Sequence, residues 1–246
     1  ARGAATLRAG TGAGTGDDMS VAPRVAMILA AGRGERMRPL TDTTPKPLLR
    51  VGGKPLIQYH VEALARAGIH RLVINLAWLG EQIREHLGDG GRFGVSITYS
   101  EERPTALETA GGVFRALQWL EPEPFLVVNG DIFCDVSFSK LALAEERDAH
   151  LVLVPNPPQH AQGDFSLNGE EAQPRSENGE NYTFAGIGLY RHRLFRGCTD
   201  GAFPLKPLLL RAMAEHRCSA QVHAGRWEDV GTPQRLEALN AVLTAR

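Results

Sequence analysis

The stretch from Val25 to Leu49, VAMILAAGRGERMRPLTDTTPKPLL, constrains this chain more than any other. Val25 to Leu29 is an unbroken apolar run, the pattern of a strand buried on both faces of a parallel sheet. Small residues follow at once: Ala30, Ala31, Gly32 and Gly34. Without large side chains, backbone N–H groups there can approach an anion closely, and glycine tolerates positive φ. Arg33, Arg36, Arg38 and Lys46 bring cations into the same loop. A strand that runs into small residues and cations reads as a phosphate cradle; the alternative is a surface loop with scattered charge.

Two details set this loop apart from the usual phosphate binders. The dinucleotide fingerprint G-x-G-x-x-G needs a third glycine for close helix packing, and Met37 stands in its place. Pro39, Pro45 and Pro47 also keep a helix from starting directly after the glycines. No G-K-[ST] follows, which excludes a P-loop. What remains is a long basic loop stiffened around Lys46.

The string L-A-A-G-x-G-x-R-M-x-P-L-T, followed by P-K-P-L, spans Leu29 to Leu48 and resembles the signature of the sugar-1-phosphate nucleotidylyltransferases. VVNGD (Val127 to Asp131) and EDVGTP (Glu228 to Pro233) carry the resemblance through nearly the whole chain. Within that family, LETAGGVFRAL from Leu107 looks most like the bacterial N-acetylmuramate-1-phosphate uridylyltransferases of cell-wall recycling. Mannose-1-phosphate guanylyltransferases are the near competitor. The resemblance implies a Rossmann-like doubly wound α/β fold with a mostly parallel mixed sheet in a single domain. It also implies transfer of a nucleoside monophosphate from a triphosphate to a sugar 1-phosphate, with UTP and N-acetylmuramate 1-phosphate the expected pair. Residue by residue, it places Ala30, Ala31, Gly32, Gly34 and Arg36 around the nucleotide, with Glu108, Thr109 and Gly111 at its base. It places Asn129, Thr183, Phe184 and Gly186 around the sugar, and gives Arg36, Lys46 and Asp131 the catalytic roles. Asp131 and Asp229 match the pair that binds Mg²⁺, the expected cofactor.

Composition bounds the partners. The 246 residues are 43% hydrophobic and 22% charged with a net charge of −1, which suits one α/β domain with a sizeable core. Near-neutral charge gives no nucleic-acid signature, and no apolar run reaches the length of a membrane helix. A monomer acting on small molecules is expected. Cys134, Cys198 and Cys218 are odd in number and far apart, which fits a reducing cytoplasm better than a disulfide framework. No histidine pair has metal-site spacing. Residues 1–22, rich in Ala, Gly and Thr before Asp17, read as a disordered leader or expression remnant, with Met19 a candidate start. The domain is expected over 23–246.

Periodicity predicts a helix over Ile57 to Ala67 ending at Gly68, a strand over Arg71 to Ala77, a helix over Glu81 to Leu87 and a strand over Val95 to Tyr99. It continues with a helix over Gly112 to Leu120, a strand over Phe125 to Val128, an acidic surface helix over Ser139 to Asp148 and a strand over His150 to Val154. Asn156 to Asn181 is polar and rich in turn formers, a flap or hairpin beside the sugar site. A strand over Tyr182 to Tyr190, a helix over Leu205 to His216, a strand over Ala220 to His223 and a helix from Pro233 close the chain. Alternation of this kind predicts a mostly parallel doubly wound sheet.

The residues themselves leave some roles open. Asp131, at the end of a buried strand, is equally a hard-metal ligand or a turn cap. Thr232 and Pro233 already supply a helix N-cap and first residue, so capping does not explain Asp229 as well. Asn75 to Trp78 is a third candidate wall for the base, although Trp78 also reads as core. No E-K-P motif follows Asn156, unlike longer relatives, so the contacts those enzymes make through its Glu and Lys are not expected here, and the shortened polar segment should leave room for a bulky substituent. Arg103 and Arg175 are candidate donors for a carboxylate on the sugar. A non-catalytic paralogue would keep the fold and lose these charges. A glycosyltransferase would carry Asp-x-Asp, whereas Asp131 is followed by Ile132 and Phe133.

Overall fold

The computed structural model describes residues 19–102 and 106–244. The candidate leader up to residue 18, and Arg103, lie outside them. Strand β1 (Val25–Leu29) is the organising element. Its alternate residues serve different layers: Ala26 and Ile28 join one apolar cluster, Val25 and Met27 the other. An all-apolar run is what burial on both faces requires.

Parallel strands flank it: β2 (Arg71–Leu76) and β3 (Ser96–Glu101) on one side, β4 (Phe125–Asn129) on the other. Helices α1 (Leu56–Arg66) and α2 (Gly80–Leu87) cover the face holding Ile28. Helix α3 (Glu108–Ala116) covers the face holding Met27. Beyond β4, a short β5 (Ile132–Cys134) leaves the sheet, and β6 (Ala149–Val154) returns to it. A hairpin of β7 (Phe165–Asn168) and β8 (Glu171–Pro174) closes the far edge. Then come β9 (Thr183–Tyr190), α4 (Lys206–Ala214), β10 (Cys218–Val222), β11 (Trp227–Asp229) and α5 (Pro233–Thr244). The nine-stranded order is β7-β8-β10-β6-β9-β4-β1-β2-β3, with β8 and β9 running against the rest. This is the doubly wound, mostly parallel mixed sheet expected from the sequence.

Three local expectations change. The helix expected over Ser139 to Asp148 is absent: a 3₁₀ turn (Phe138–Lys140) leads to a two-residue strand, Leu143–Ala144. Phe138, Leu141 and Leu143 are all buried, and Asp148 is buried between Arg193 and Arg217, so the segment has no solvated helical face. Ser20–Val21, within the expected leader, pairs antiparallel with Leu143–Ala144. Helix α3 begins at Glu108, four residues before the expected Gly112, because the Phe203 carbonyl accepts from Ala110 and Gly111 N–H and replaces a local cap. Within Asn156 to Asn181, the hairpin forms at the sheet edge, and the 3₁₀ turn Pro158–His160 is the part that reaches toward the site.

Candidate active site

Leu29 and Asn129 are register partners at the carboxyl ends of β1 and β4, where the winding of the sheet reverses. Two loops leave the sheet there side by side, the position at which open α/β sheets take ligands. Gly130 N–H donates to the Leu29 carbonyl at 2.9 Å. A Cβ at Gly130 would meet that oxygen at 2.7 Å, so only glycine brings the two loops this close.

Asp131 follows and starts the β5 arm. Strand β11 pairs with β5 so that Asp229 faces Ile132, and Val230 N–H donates to the Asp131 carbonyl at 3.2 Å. The two aspartates thus stand one register step apart on neighbouring strands. Each holds a cation. Lys46 Nζ lies 2.5 Å from Asp131 Oδ2, and Arg235 Nη1 lies 2.8 Å from Asp229 Oδ2.

The basic loop is folded to deliver Lys46. Gly34 has φ of 67°, and a Cβ there would come within 3.1 Å of the Lys46 Cβ. Thr41 Oγ1 donates to the Gly34 carbonyl at 2.8 Å, and Pro45 precedes and Pro47 lies within the 3₁₀ turn that carries Lys46. Lys46 is only 6% exposed. The other cations divide. Arg33 stacks on Trp78 at 3.7 Å, Arg38 pairs with Asp42 at 2.8 Å, and Arg36 lines the second of two cavities. Trp78 Nε1 donates to the Thr41 carbonyl at 2.9 Å, so this residue props the loop rather than filling the core.

Asp131 and Asn129 border both cavities. The first, of about 240 Å³, is walled by Ala30, Ala31, Gly32 and Lys46, with Glu108 and Thr109 opposite. Its floor is a buried relay. Asn75 Oδ1 accepts from Ala30 N–H at 2.7 Å, Asn75 Nδ2 donates to Glu102 at 2.6 Å, and Glu102 accepts from Leu107 N–H at 2.7 Å. Gly111 does not face this space. A Cβ there would meet the Gly201 carbonyl at 2.1 Å, and one at Gly112 would meet Glu102 at 2.4 Å, so the glycine pair serves helix packing.

The second cavity, of about 380 Å³, lies on the β9 side and is lined by Thr183, Phe184 and Gly186. Gly186 has φ of 74°, and a Cβ there would strike the Asn129 amide at 2.5 Å. Trp227 closes another side, its Nε1 donating to the Ala185 carbonyl at 2.9 Å. Gln159, His160 and Arg235 complete the lining, whereas Arg175 is exposed and is not part of it. Beneath the aspartates, His60 Nε2–H donates to the Ile132 carbonyl at 2.9 Å. Burial pushes its pKa down to about 4, so the imidazole beneath the site is neutral at pH 7.

The nucleotidyl transferase family model matches residues 25–167, more than half of the chain. The chain belongs to that family. It is 51% identical over 227 residues to an N-acetylmuramate alpha-1-phosphate uridylyltransferase of Neisseria meningitidis serogroup B, spanning 89% of this chain and 98% of the relative. A Caulobacter vibrioides protein of the same name is 34% identical over 92% of this chain and 99% of its own length. A solved structure assigned as a glucose-1-phosphate thymidylyltransferase from Bacillus anthracis superposes with a TM-score of 0.76 at 23% identity, covering 89% of this chain and 94% of that one. At that identity the likeness speaks for the fold alone.

For a nucleotidyl transferase, the two cavities meeting at Asp131 are the arrangement the reaction asks for: one reactant on each side of a shared charged junction. The sequence reading did not pick out Glu102 or Arg235, whereas the Pro158–His160 turn lies in the segment expected as a flap beside the sugar site. Glu102 is a lone carboxylate after a strand and Arg235 a lone arginine in a helix, so neither carries a local signal. Among the described residues no cluster of three His, Cys, Asp or Glu side chains could hold a metal. Asp131 and Asp229 alone offer two oxygen ligands, both partly exposed to the cavity. That donor set fits Mg²⁺, which takes one or two protein carboxylates and completes its shell with water and substrate phosphate.

Proposed function

We propose that this nucleotidyl transferase moves a uridylyl group from UTP to N-acetylmuramate 1-phosphate, releasing pyrophosphate. The observation that carries the reading is the convergence of Lys46, Asp131 and Asp229 where the two cavities join. The substrate pair is supported by the two relatives of matching length that bear that name.

The sugar phosphate is largely a dianion at pH 7, since the second phosphate pKa is about 6. Its oxygen therefore attacks the α-phosphorus without a general base. The obstacle is bringing two anions together and letting pyrophosphate leave, which positioning and charge neutralisation solve. Asp131 and Asp229 would hold Mg²⁺, which supplies Lewis-acid neutralisation of the phosphate oxygens. Ala30 and Ala31 present a flat wall to the base, held in place by the Asn75 side chain. Backbone N–H groups around Gly32, together with Arg36, attract the triphosphate. Gly34 serves by folding the loop against Lys46. Lys46 would contact the sugar phosphate or the α-phosphate and stabilise the charge that develops as the bond to the leaving pyrophosphate breaks. Asn129, Thr183 and Phe184 border the space for the sugar, and Gly186 keeps it open by making room for Asn129.

Among the described residues no helix is long and apolar enough to cross a membrane. The three cysteines are unbonded, and burial raises the Cys134 thiol to about 11 and the Cys218 thiol to about 12. Three cysteines with no disulfide framework among them support the proposal of a cytoplasmic enzyme.

The test is pyrophosphate release across a panel of triphosphates and sugar phosphates. UTP with N-acetylmuramate 1-phosphate is expected to give the highest kcat/KM. A clear preference for GTP with mannose 1-phosphate would overturn the substrate pair and keep the reaction class. Absence of pyrophosphate with every pair would favour a non-catalytic role.

A further inference from the structure

We propose that Arg235 is a charge-exchange residue: it guards Asp229 while the carboxylates are unloaded, then turns to the phosphate of the sugar substrate. This rests on the reading above, in which Asp131 and Asp229 hold the dication and the second cavity takes the sugar 1-phosphate.

Three observations carry it. Arg235 Nη1 lies 2.8 Å from Asp229 Oδ2, and the guanidinium borders the same cavity as Thr183 and Gly186. The approach is built in. A Cβ at Gly231 would sit 2.5 Å from Arg235 Nη2 and 3.0 Å from Asp229 Oδ2, so the glycine leaves room for the pair. Thr232 Oγ1 accepts from Arg235 N–H at 3.3 Å, which fixes the root of the side chain in the first turn of α5. The third observation is a deficit. The segment from Asn156 to Asn181 carries one cation of full charge, Arg175, and it does not line the cavity. The cavity's permanent cations are therefore Arg36 and Arg235; Arg36 belongs to the glycine-rich loop that the reading above assigns to the triphosphate, which leaves Arg235 for the sugar phosphate.

The charge arithmetic gives the exchange its direction. With no dication, Lys46 and Arg235 balance Asp131 and Asp229 one for one. A dication on the two carboxylates makes both side-chain cations surplus, and each has an anionic substrate within its own cavity. A planar fork of N–H donors suits two oxygens of one phosphate. Arg235 thus keeps the carboxylates apart from each other's charge before loading and recruits the sugar phosphate after it.

Arg235→Gln, Arg235→Lys and Asp229→Asn separate the possibilities, each checked for native circular dichroism. Mn²⁺ binding to the substrate-free protein, followed by electron paramagnetic resonance, reads the first half of the exchange. Arg235→Gln is expected to bind Mn²⁺ several-fold more tightly than wild type, because the competing cation is gone. Steady-state kinetics reads the second half: the same variant is expected to raise KM for N-acetylmuramate 1-phosphate about tenfold or more, with KM for UTP within about twofold. Arg235→Lys keeps the point charge without the fork, so Mn²⁺ affinity should return to the wild-type value while KM recovers in part. Unchanged or weaker Mn²⁺ binding in Arg235→Gln, or a KM rise confined to UTP, would overturn the exchange. Asp229→Asn is expected to lose Mn²⁺ binding. If it binds Mn²⁺ like wild type, the metal assignment itself fails, and the exchange fails with it.

Discussion

Lys46 and Asp131 show how much of the site depends on one buried contact. An ammonium 6% exposed and 2.5 Å from its carboxylate is held in one place before any substrate arrives. Asp131→Asn removes the counter-charge and is expected to lower stability by roughly 1–3 kcal/mol in urea denaturation, as a buried ammonium is left without its anion. Asp229→Asn should cost less, since Arg235 is more open to solvent. Both should lower turnover about a hundredfold or more at saturating Mg²⁺, because each removes a carboxylate from the junction of the reactants. Near-wild-type turnover in either would contradict the assignment. The cations should separate as well: Lys46→Ala is expected to act on kcat, and Arg36→Ala on KM for the triphosphate. A raised KM for the sugar phosphate alone, in both, would show that division to be wrong. Lys46 and Asp229 were legible because each lies in a dense run of glycine, proline and charge, and Asp131 because a carboxylate closes a buried strand, although that position alone leaves a turn cap equally open. Asn75 and Glu102 take their meaning from each other and from Ala30, contacts between distant parts of the chain, and Arg235 takes its meaning from a turn that folds it back on Asp229, which a lone arginine in a helix does not announce.

Elements whose signal is a repeated burial pattern were legible, and those whose signal is a distant contact were not. The all-apolar β1 and the helical spacing of Leu56, Ile57, Val61 and Leu64 each describe one buried surface, so sequence suffices. Helix α3 begins where the Phe203 carbonyl receives two N–H groups, an arrangement contributed by a loop nearly a hundred residues away. The same loop explains the first glycine of the pair in α3, and the Asn75–Glu102 relay explains the second. Gly111→Ala would put a methyl group 2.1 Å from the Gly201 carbonyl, a backbone atom that cannot swing aside. It is expected to destabilise the fold by roughly 1–3 kcal/mol, the usual effect of overpacking, and to lower the melting temperature. A substitution that is neutral in thermal denaturation would mean the loop yields freely. The segment around the short strand Leu143–Ala144 reads as an acidic helix because Glu145, Glu146 and Arg147 follow it, whereas the burial of Phe138, Leu141 and Leu143 decides its conformation.

The whole molecule places an uncharged histidine under a charged junction. His60 has its pKa lowered from 6.5 to about 4 by burial, so the unfolded chain binds the proton more readily than the folded one. Its contribution is fully present above pH 6.5 and is lost as pH falls toward about 4, by roughly 3 kcal/mol at most. His60→Gln keeps a donor for the Ile132 carbonyl and cannot titrate, so its stability should fall less steeply than wild type across that window in urea titrations. Equal slopes would show that His60 does not govern acid sensitivity. The fold brings this histidine, the basic loop and both aspartates to the switch point between β1 and β4, and two cavities meet there. The most direct measurement is the fate of UTP labelled at its α-phosphorus, incubated with the protein, Mg²⁺ and N-acetylmuramate 1-phosphate. The label is expected in a UDP-sugar, with one unlabelled pyrophosphate released for each transfer. Label that stays in UTP, or that emerges as UMP without joining the sugar phosphate, would contradict the account.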